Sequence, residues 1–168
     1  MASADDVRKI AEQEARLVFE GFDEAAAFEI GSAIRARGLA EKFPIVVDIR
    51  LWDRTLFYCA LPGSTVGNSE WTRRKINVVK VFHRSSYRMV LSKGREDRTF
   101  AVGEALPIED YVLAGGGFPI RVKGVGVIGA VAVSGLPERQ DHEVVVAALC
   151  DHLGIDRQEL ALPPVSNN

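Results

Sequence analysis

The chain has 168 residues, of which 47% are hydrophobic and 26% charged, and a net charge of −2; that is the mixture of one ordinary globular domain, far from the charge-rich, hydrophobe-poor composition of disordered chains. No apolar run approaches the roughly 20 residues that span a bilayer, and a pI of 5.9 lies far below that of a dedicated nucleic-acid-binding domain. The expectation is a single domain over 1–168 that engages neither membrane nor nucleic acid, and, because Met1-Ala-Ser-Ala-Asp-Asp6 lacks the basic and apolar stretches of a secretory signal, a cytoplasmic one.

In chain order, residues 4–20 place Val7, Ile10, Ala11, Leu17 and Val18 near a 3.6 period behind Asp5 and Asp6, which predicts an amphipathic helix. A second helix is expected from Asp23, a capping acid, to Arg37, with Gly38 ending it, so that 1–38 form a helical N-terminal region. Ile45–Trp52 and Thr55–Leu61 are β-branched and aromatic runs of strand length joined by Asp53-Arg54, and predict a hairpin. After Pro62-Gly63-Ser64, Asn68 or Ser69 can cap a long helix reaching about Arg84. Trp71, the stem of Lys75, Val78, Val79 and Phe82 share one face of it, and Arg73, Asn77, Lys80 and Arg84 the other. Ser85-Ser86 either interrupt that helix or sit within a longer one ending near Ser92.

Residues 95–110 read as polar and irregular. Strand signals return at Pro119–Lys123 and Val125–Val133, and Pro137 stands at the first turn of a closing helix, Glu138 to Leu153, which Gly154 ends. The tail 160–168 reads as loose. Strands that follow one another directly favour antiparallel pairing, and helices before, between and after them favour coverage of the sheet. The fold class expected is therefore α/β of the α+β kind: a profilin-like or PAS-like sandwich, an antiparallel sheet of about five strands flanked by helices on both faces.

Few patterns point to chemistry. Gly124-Val-Gly126-Val-Ile-Gly129 matches G-x-G-x-x-G, but a dinucleotide site needs a helix after the glycines, and here Ala-Val-Ala-Val continues a strand. The glycines then serve close approach of another backbone. Cys59 and Cys150 sit far apart in apolar stretches and read as buried fillers. His83, His142 and His152 form no metal spacing, no C-x-x-C-H is present, and no nucleophile elbow surrounds Ser134. His83 beside basic residues is either a surface residue or an iron ligand.

Three features remain. Gly115-Gly116-Gly117 before Phe118-Pro119 reads either as a tight bend into a strand or as a turn whose exposed amides hold an anion. Asn68, Trp71, Arg74, Lys75 and Asn77 place an aromatic, cations and an amide within about three helical turns. They are either a core tryptophan with a solvated basic face or a grip for carboxylates such as haem propionates. Finally, residues 73–98 hold nine Lys/Arg against Glu96 and Asp97, a local charge of +7 that leaves −9 for the remainder. That contrast can hold an anionic ligand or pair with acidic patches of another subunit.

The stretches Asn68–Asn77, His83-Arg-Ser-Ser-Tyr87, Gly115–Ile120 and Gly124–Leu136 together resemble the UPF0303 branch of the GlcG/HbpS-like, haem-degrading-domain superfamily, over about residues 40–153. The resemblance implies a profilin-like sandwich assembled into homo-oligomers, with relatives that bind haem or related tetrapyrroles. It carries no catalytic assignment. The matching positions are Trp71, Arg73, Arg74, Lys75 and Asn77, then Ser85 and Ser86, then the glycines with Phe118. With Asn68 these are the candidate ligand-binding residues, for a small anionic or tetrapyrrole ligand with haem as the cofactor in view; no metal ligand is assigned. Two functions stand: a small-ligand-binding protein handling haem or a tetrapyrrole as a homo-oligomer, and a non-enzymatic assembly or adaptor protein that uses the charged segment to hold another protein.

Overall fold

The computed structural model describes residues 2–165, with side chains from residue 4 onward, so the last residues of the expected tail, 166–168, lie outside the described residues. In order the elements are α1 (Ala2–Arg16), β1 (Val18–Phe19), α2 (Glu24–Ala40), β2 (Val46–Leu51), β3 (Arg54–Ala60), α3 (Val66–Phe82), α4 (Ser86–Lys93), β4 (Gly117–Val122), β5 (Gly126–Ser134), α5 (Glu138–Leu153) and α6 (Arg157–Leu160), with a 3-10 turn at Val102–Glu104. The strands form one sheet in the order β1-β4-β5-β2-β3. Three of its pairings are antiparallel, and the fourth, β1 with β4, is parallel.

That parallel edge accounts for a difference from the sequence pattern. The helix expected to reach residue 20 ends at Arg16, since Val18 and Phe19 pair with Arg121 and Val122. Leu17 and Phe19, at 0% and 2% exposed, enter the core; their apolarity is spent there and not on a helix face. Gly38 likewise does not end α2, which runs to Ala40. A Cβ on Gly38 would stand 2.4 Å from Leu61 Cδ1, so the glycine lets the helix lie against the end of β3.

Helices cover both faces. On one, Ile30 and Ile34 of α2 and Val145 and Leu149 of α5 pack on Val47, Ile49, Phe118, Val131 and Val133. On the other, Ile76 and Val79 of α3 lie on Ala130 and Ala132. Strand β5 is buried on both sides, which is why it reads as a continuous apolar run. Its valines face α2 and α5 while its alanines face α3, and the small side chains let α3 approach closely. Leu160 and Leu162 are buried too, with Leu162 in a cluster with Ile10 and Tyr87, so the chain is packed down to that point.

Thr65 is the N-cap of α3, and its backbone N–H donates to Asn68 Oδ1 at 2.8 Å, placing Asn68 in the first turn and not at the cap. The helix ends where His83 takes a left-handed conformation at φ 54°. Ser85 then caps α4, its Oγ accepting from Arg88 N at 3.2 Å. The two serines therefore interrupt the helix. No helix among the described residues is long and apolar enough to cross a membrane.

Candidate functional site

A cleft of about 560 Å³ opens where the first turns of α3, the end of β5 and the start of α5 converge. Its floor is an ion pair. Lys75 Nζ donates to Val133 O at 2.9 Å and to Asp141 Oδ2 at 3.1 Å, with both side chains at most 3% exposed. Asp141 Oδ1 accepts from Leu136 N at 3.0 Å, so one carboxylate fixes both the lysine and the turn that leads into α5. Desolvation dominates the electrostatics: it lifts the Asp141 carboxyl to about 6 although Lys75 pulls it down, and it holds the Lys75 ammonium below its usual value although Asp141 supports it.

The three glycines make this pair fit. Gly116, at φ +127°, lies so close that a Cβ would be 2.3 Å from Val133 O, 2.9 Å from Lys75 Nζ and 3.0 Å from Asp141 Cβ. On Gly115 a Cβ would meet Glu138 O at 2.8 Å, and on Gly117 it would meet Lys75 O at 3.2 Å. All three residues are buried, and two of their amides are used within the chain: Gly115 N donates to Glu138 Oε2 at 3.1 Å and Gly117 N to Ser86 Oγ at 2.9 Å. The segment is thus the bend of the two sequence readings, and what it accommodates is the cleft floor.

The walls combine apolar surface with donors. Leu113, Ala114, Leu136 and Pro137 line one part, and Trp71, 38% exposed, another, with the Arg74 guanidinium 4.5 Å over its ring. Arg98 binds both oxygens of Glu138 and Leu113 O through Nη1 alone, leaving Nη2 and Nε without a partner among the described residues. Asn68 spends Oδ1 on the helix start, and its Nδ2 is likewise unpartnered. Ser134, 4% exposed, also lines the cleft.

Of the residues singled out from sequence, Asn68, Trp71 and Lys75 line this cleft, and Gly116 packs behind it. The others stand apart from the cleft wall. Arg73 reaches Asp110 Oδ1 at 2.9 Å and Glu109 O at 2.6 Å, Asn77 Nδ2 donates to Asp110 O at 2.9 Å, and Arg74 leans toward Ile108 O, so these three strap α3 to the 107–110 segment. Ser85 caps α4, Ser86 receives Gly117 N, and Phe118 is 1% exposed in the core. His83 is an exposed helix end. Gly129 sits beside Arg50, where a Cβ would be 2.0 Å from its carbonyl oxygen, the close backbone approach expected of that glycine pattern. Sequence reasoning counted Arg98 only within the charged segment and weighed Ser134 only as a lone hydroxyl, and it missed Glu138 and Asp141. The only local signal was Asp141 near the start of a predicted helix, where acids are common for other reasons.

The charged segment is largely answered within the chain. Arg73 pairs with Glu70 and Asp110, Arg88 with Glu14, Lys93 with Glu104, Arg95 with Asp97, Arg98 with Glu138 and Lys75 with Asp141. Arg74, Lys80 and Arg84 have no ion-pair partner among the described residues.

The cleft sets the spare donors of Arg98 and Asn68 beside the indole of Trp71. Its lining holds no histidine, cysteine, methionine or tyrosine to serve as an axial ligand, and the one amine is engaged twice. No group of three potential metal ligands occurs among the described residues.

Comparison with known proteins places the chain among relatives. Residues 22–150 match the family model described as haem-degrading protein, HbpS-like. A UPF0303 protein of Mesorhizobium japonicum is 67% identical over 96% of this chain and 97% of its own length. Among solved structures, that of the Ybr137w protein superposes with a TM-score of 0.82 at 24% identity, over 90% of this chain and 92% of the other. A PduOC:haem complex superposes with a TM-score of 0.63 at 19% identity, over 77% and 94%.

Proposed function

We propose, from the premise that this chain belongs to the HbpS-like family of haem-degrading proteins, that it binds a flat dicarboxylate of the tetrapyrrole class in the cleft between α3 and α5. The observation that carries this reading is the combination of Trp71 with unspent donors on Arg98 and Asn68 in one opening. An aromatic face supports the ring, and the guanidinium and amide take carboxylates. The volume of about 560 Å³ lies in the range of small-molecule sites, roughly 300–1,000 Å³. Because the lining offers iron no axial ligand, the ring and its carboxylates are what is held, and a metal-free porphyrin should bind about as well as haemin.

Titration with haemin and with protoporphyrin IX, followed by absorbance, tests this. Both should saturate near one per chain, and Trp71→Ala or Arg98→Ala should weaken both about tenfold, the loss of one stacked or charge-assisted contact of roughly 1–1.5 kcal/mol. Binding of haemin alone, or binding indifferent to both substitutions, would overturn the cleft as the seat. The same reading takes the protein as a homo-oligomer. The unpaired outer edge of β3 and the exposed Phe28 and Tyr58 support that part, and sedimentation velocity tests it.

A further inference from the structure

We propose that Lys75 is a carbonyl-trapping amine, and that the cleft accepts small oxo acids by forming a reversible imine on its Nζ. The proposal uses the same cleft as the tetrapyrrole reading but not the same ligand, so either can fail without the other.

Four observations carry it. Lys75 lines the floor of the cleft with its side chain 3% exposed, two of its three donors fixed by Val133 O and Asp141 and the third without a partner among the described residues. Burial disfavours its ammonium form, which is the condition under which a lysine becomes a nucleophile. Asp141 stands 3.1 Å away, with a carboxyl whose affinity for protons burial has raised, so it can take the proton the amine must lose. Arg98 and Asn68, with donors to spare, can hold the carboxylate of an oxo acid while its carbonyl faces the amine. A lysine that only ties α3 to α5 needs Asp141 but neither a place on a cleft nor spare donors beside it.

The step balances without an outside reagent. The ammonium passes a proton to the Asp141 carboxylate, and the free amine adds to the carbonyl carbon, whose oxygen takes up one of the nitrogen's protons to give a carbinolamine. The hydroxyl then leaves as water with the proton returned from Asp141, and the product is a protonated imine on Lys75 beside an ionised Asp141. Charge is conserved, one water is released, and hydrolysis reverses the sequence.

Borohydride reduction of the full-length protein in the presence of glyoxylate or pyruvate, followed by peptide mapping, tests this. One reduced adduct per chain should appear on the peptide containing Lys75, at a rate at least about tenfold above that of any exposed lysine such as Lys80 or Lys123. Lys75→Met should remove it. Labelling spread over the exposed lysines with Lys75 unmodified would overturn the proposal. That map on the unaltered protein decides the matter even if the variant does not fold, and haemin titration on the same sample reports separately on the tetrapyrrole reading.

Discussion

Asp141 and His142 are neighbours on α5, both at most 2% exposed, and each binds a polar partner from a distant part of the chain. Asp141 joins Lys75 at the floor of the cleft, whereas the His142 ring packs against Tyr87 and Phe118 and bonds through Nε2 to Gln13 Oε1 at 2.8 Å. Gln13 in turn donates to Leu160 O at 2.7 Å, so its amide oxygen is the acceptor and His142 Nε2 carries the proton. Burial perturbs both residues, lifting Asp141 to about 6 and pushing His142 down to about 3. A perturbed titration therefore does not by itself mark a site. What separates the two is access: one group opens onto a cleft with unspent donors, and the other is a latch between α1, α5 and the C-terminal segment.

The sharpest way to break that contrast is to remove half of the cleft pair. Lys75→Met leaves a carboxylate buried without its counter-charge and should cost about 3–5 kcal/mol in urea unfolding, while Lys75→Met combined with Asp141→Leu should regain most of it. A single variant as stable as the double would mean that Asp141 without Lys75 is solvated or protonated at no cost, and that the pair does not hold α3 to α5.

Acid stability sharpens the other side. Desolvation keeps His142 neutral, with Arg139 nearby adding to the effect, so its contribution is complete above pH 6.5 and is lost as pH falls toward about 3, because the unfolded chain takes up a proton that the fold refuses. Asp141 runs the other way: its raised carboxyl favours the fold fully below 3.8, an advantage lost as pH rises through about 6. His142→Gln, which keeps an amide for Gln13 but cannot titrate, should therefore lose less stability between pH 7 and about pH 4.5 than the parent, by about 2–3 kcal/mol, two units of one proton's linkage. Parallel acid limbs in the two proteins would show that the ring is not excluded from water. Affinity for haemin should be the same in both.

The same distinction explains what could be read in the sequence. The hairpins, the limits of α5 between Pro137 and Gly154, and helices on both faces follow from local pattern, as does the apolar character of Cys150. The family too was legible, from stretches spread over residues 40–153. Local pattern does not reveal β1, because two residues become a strand only by meeting Arg121 and Val122. Nor does it reveal that Lys75 meets Asp141, 66 residues away, or that Arg98 comes to Glu138 from an irregular segment. Helical spacing set Trp71 and Lys75 on one face of α3 and Arg73 and Asn77 on the other; what it did not reveal is that the first face meets the cleft and the second the 107–110 strap.

That division carries the smallest expected effect. Arg73 stands two positions before Lys75, but its side chain is 35% exposed and it serves Glu70, Asp110 and the carbonyl of Glu109. Solvent screens such pairs and their side chains lose entropy in forming them, so each contributes little, roughly 0–1 kcal/mol. Arg73→Ala should lower stability by no more than about 1 kcal/mol and leave haemin affinity unchanged, whereas Trp71→Ala, in the same helix, should weaken binding while costing comparably little stability. A tenfold loss of affinity in Arg73→Ala would mean that ligand reaches across α3 to the 107–110 strap. The seat would then belong to the whole basic face of the helix, and the boundary drawn between its two sides would be wrong.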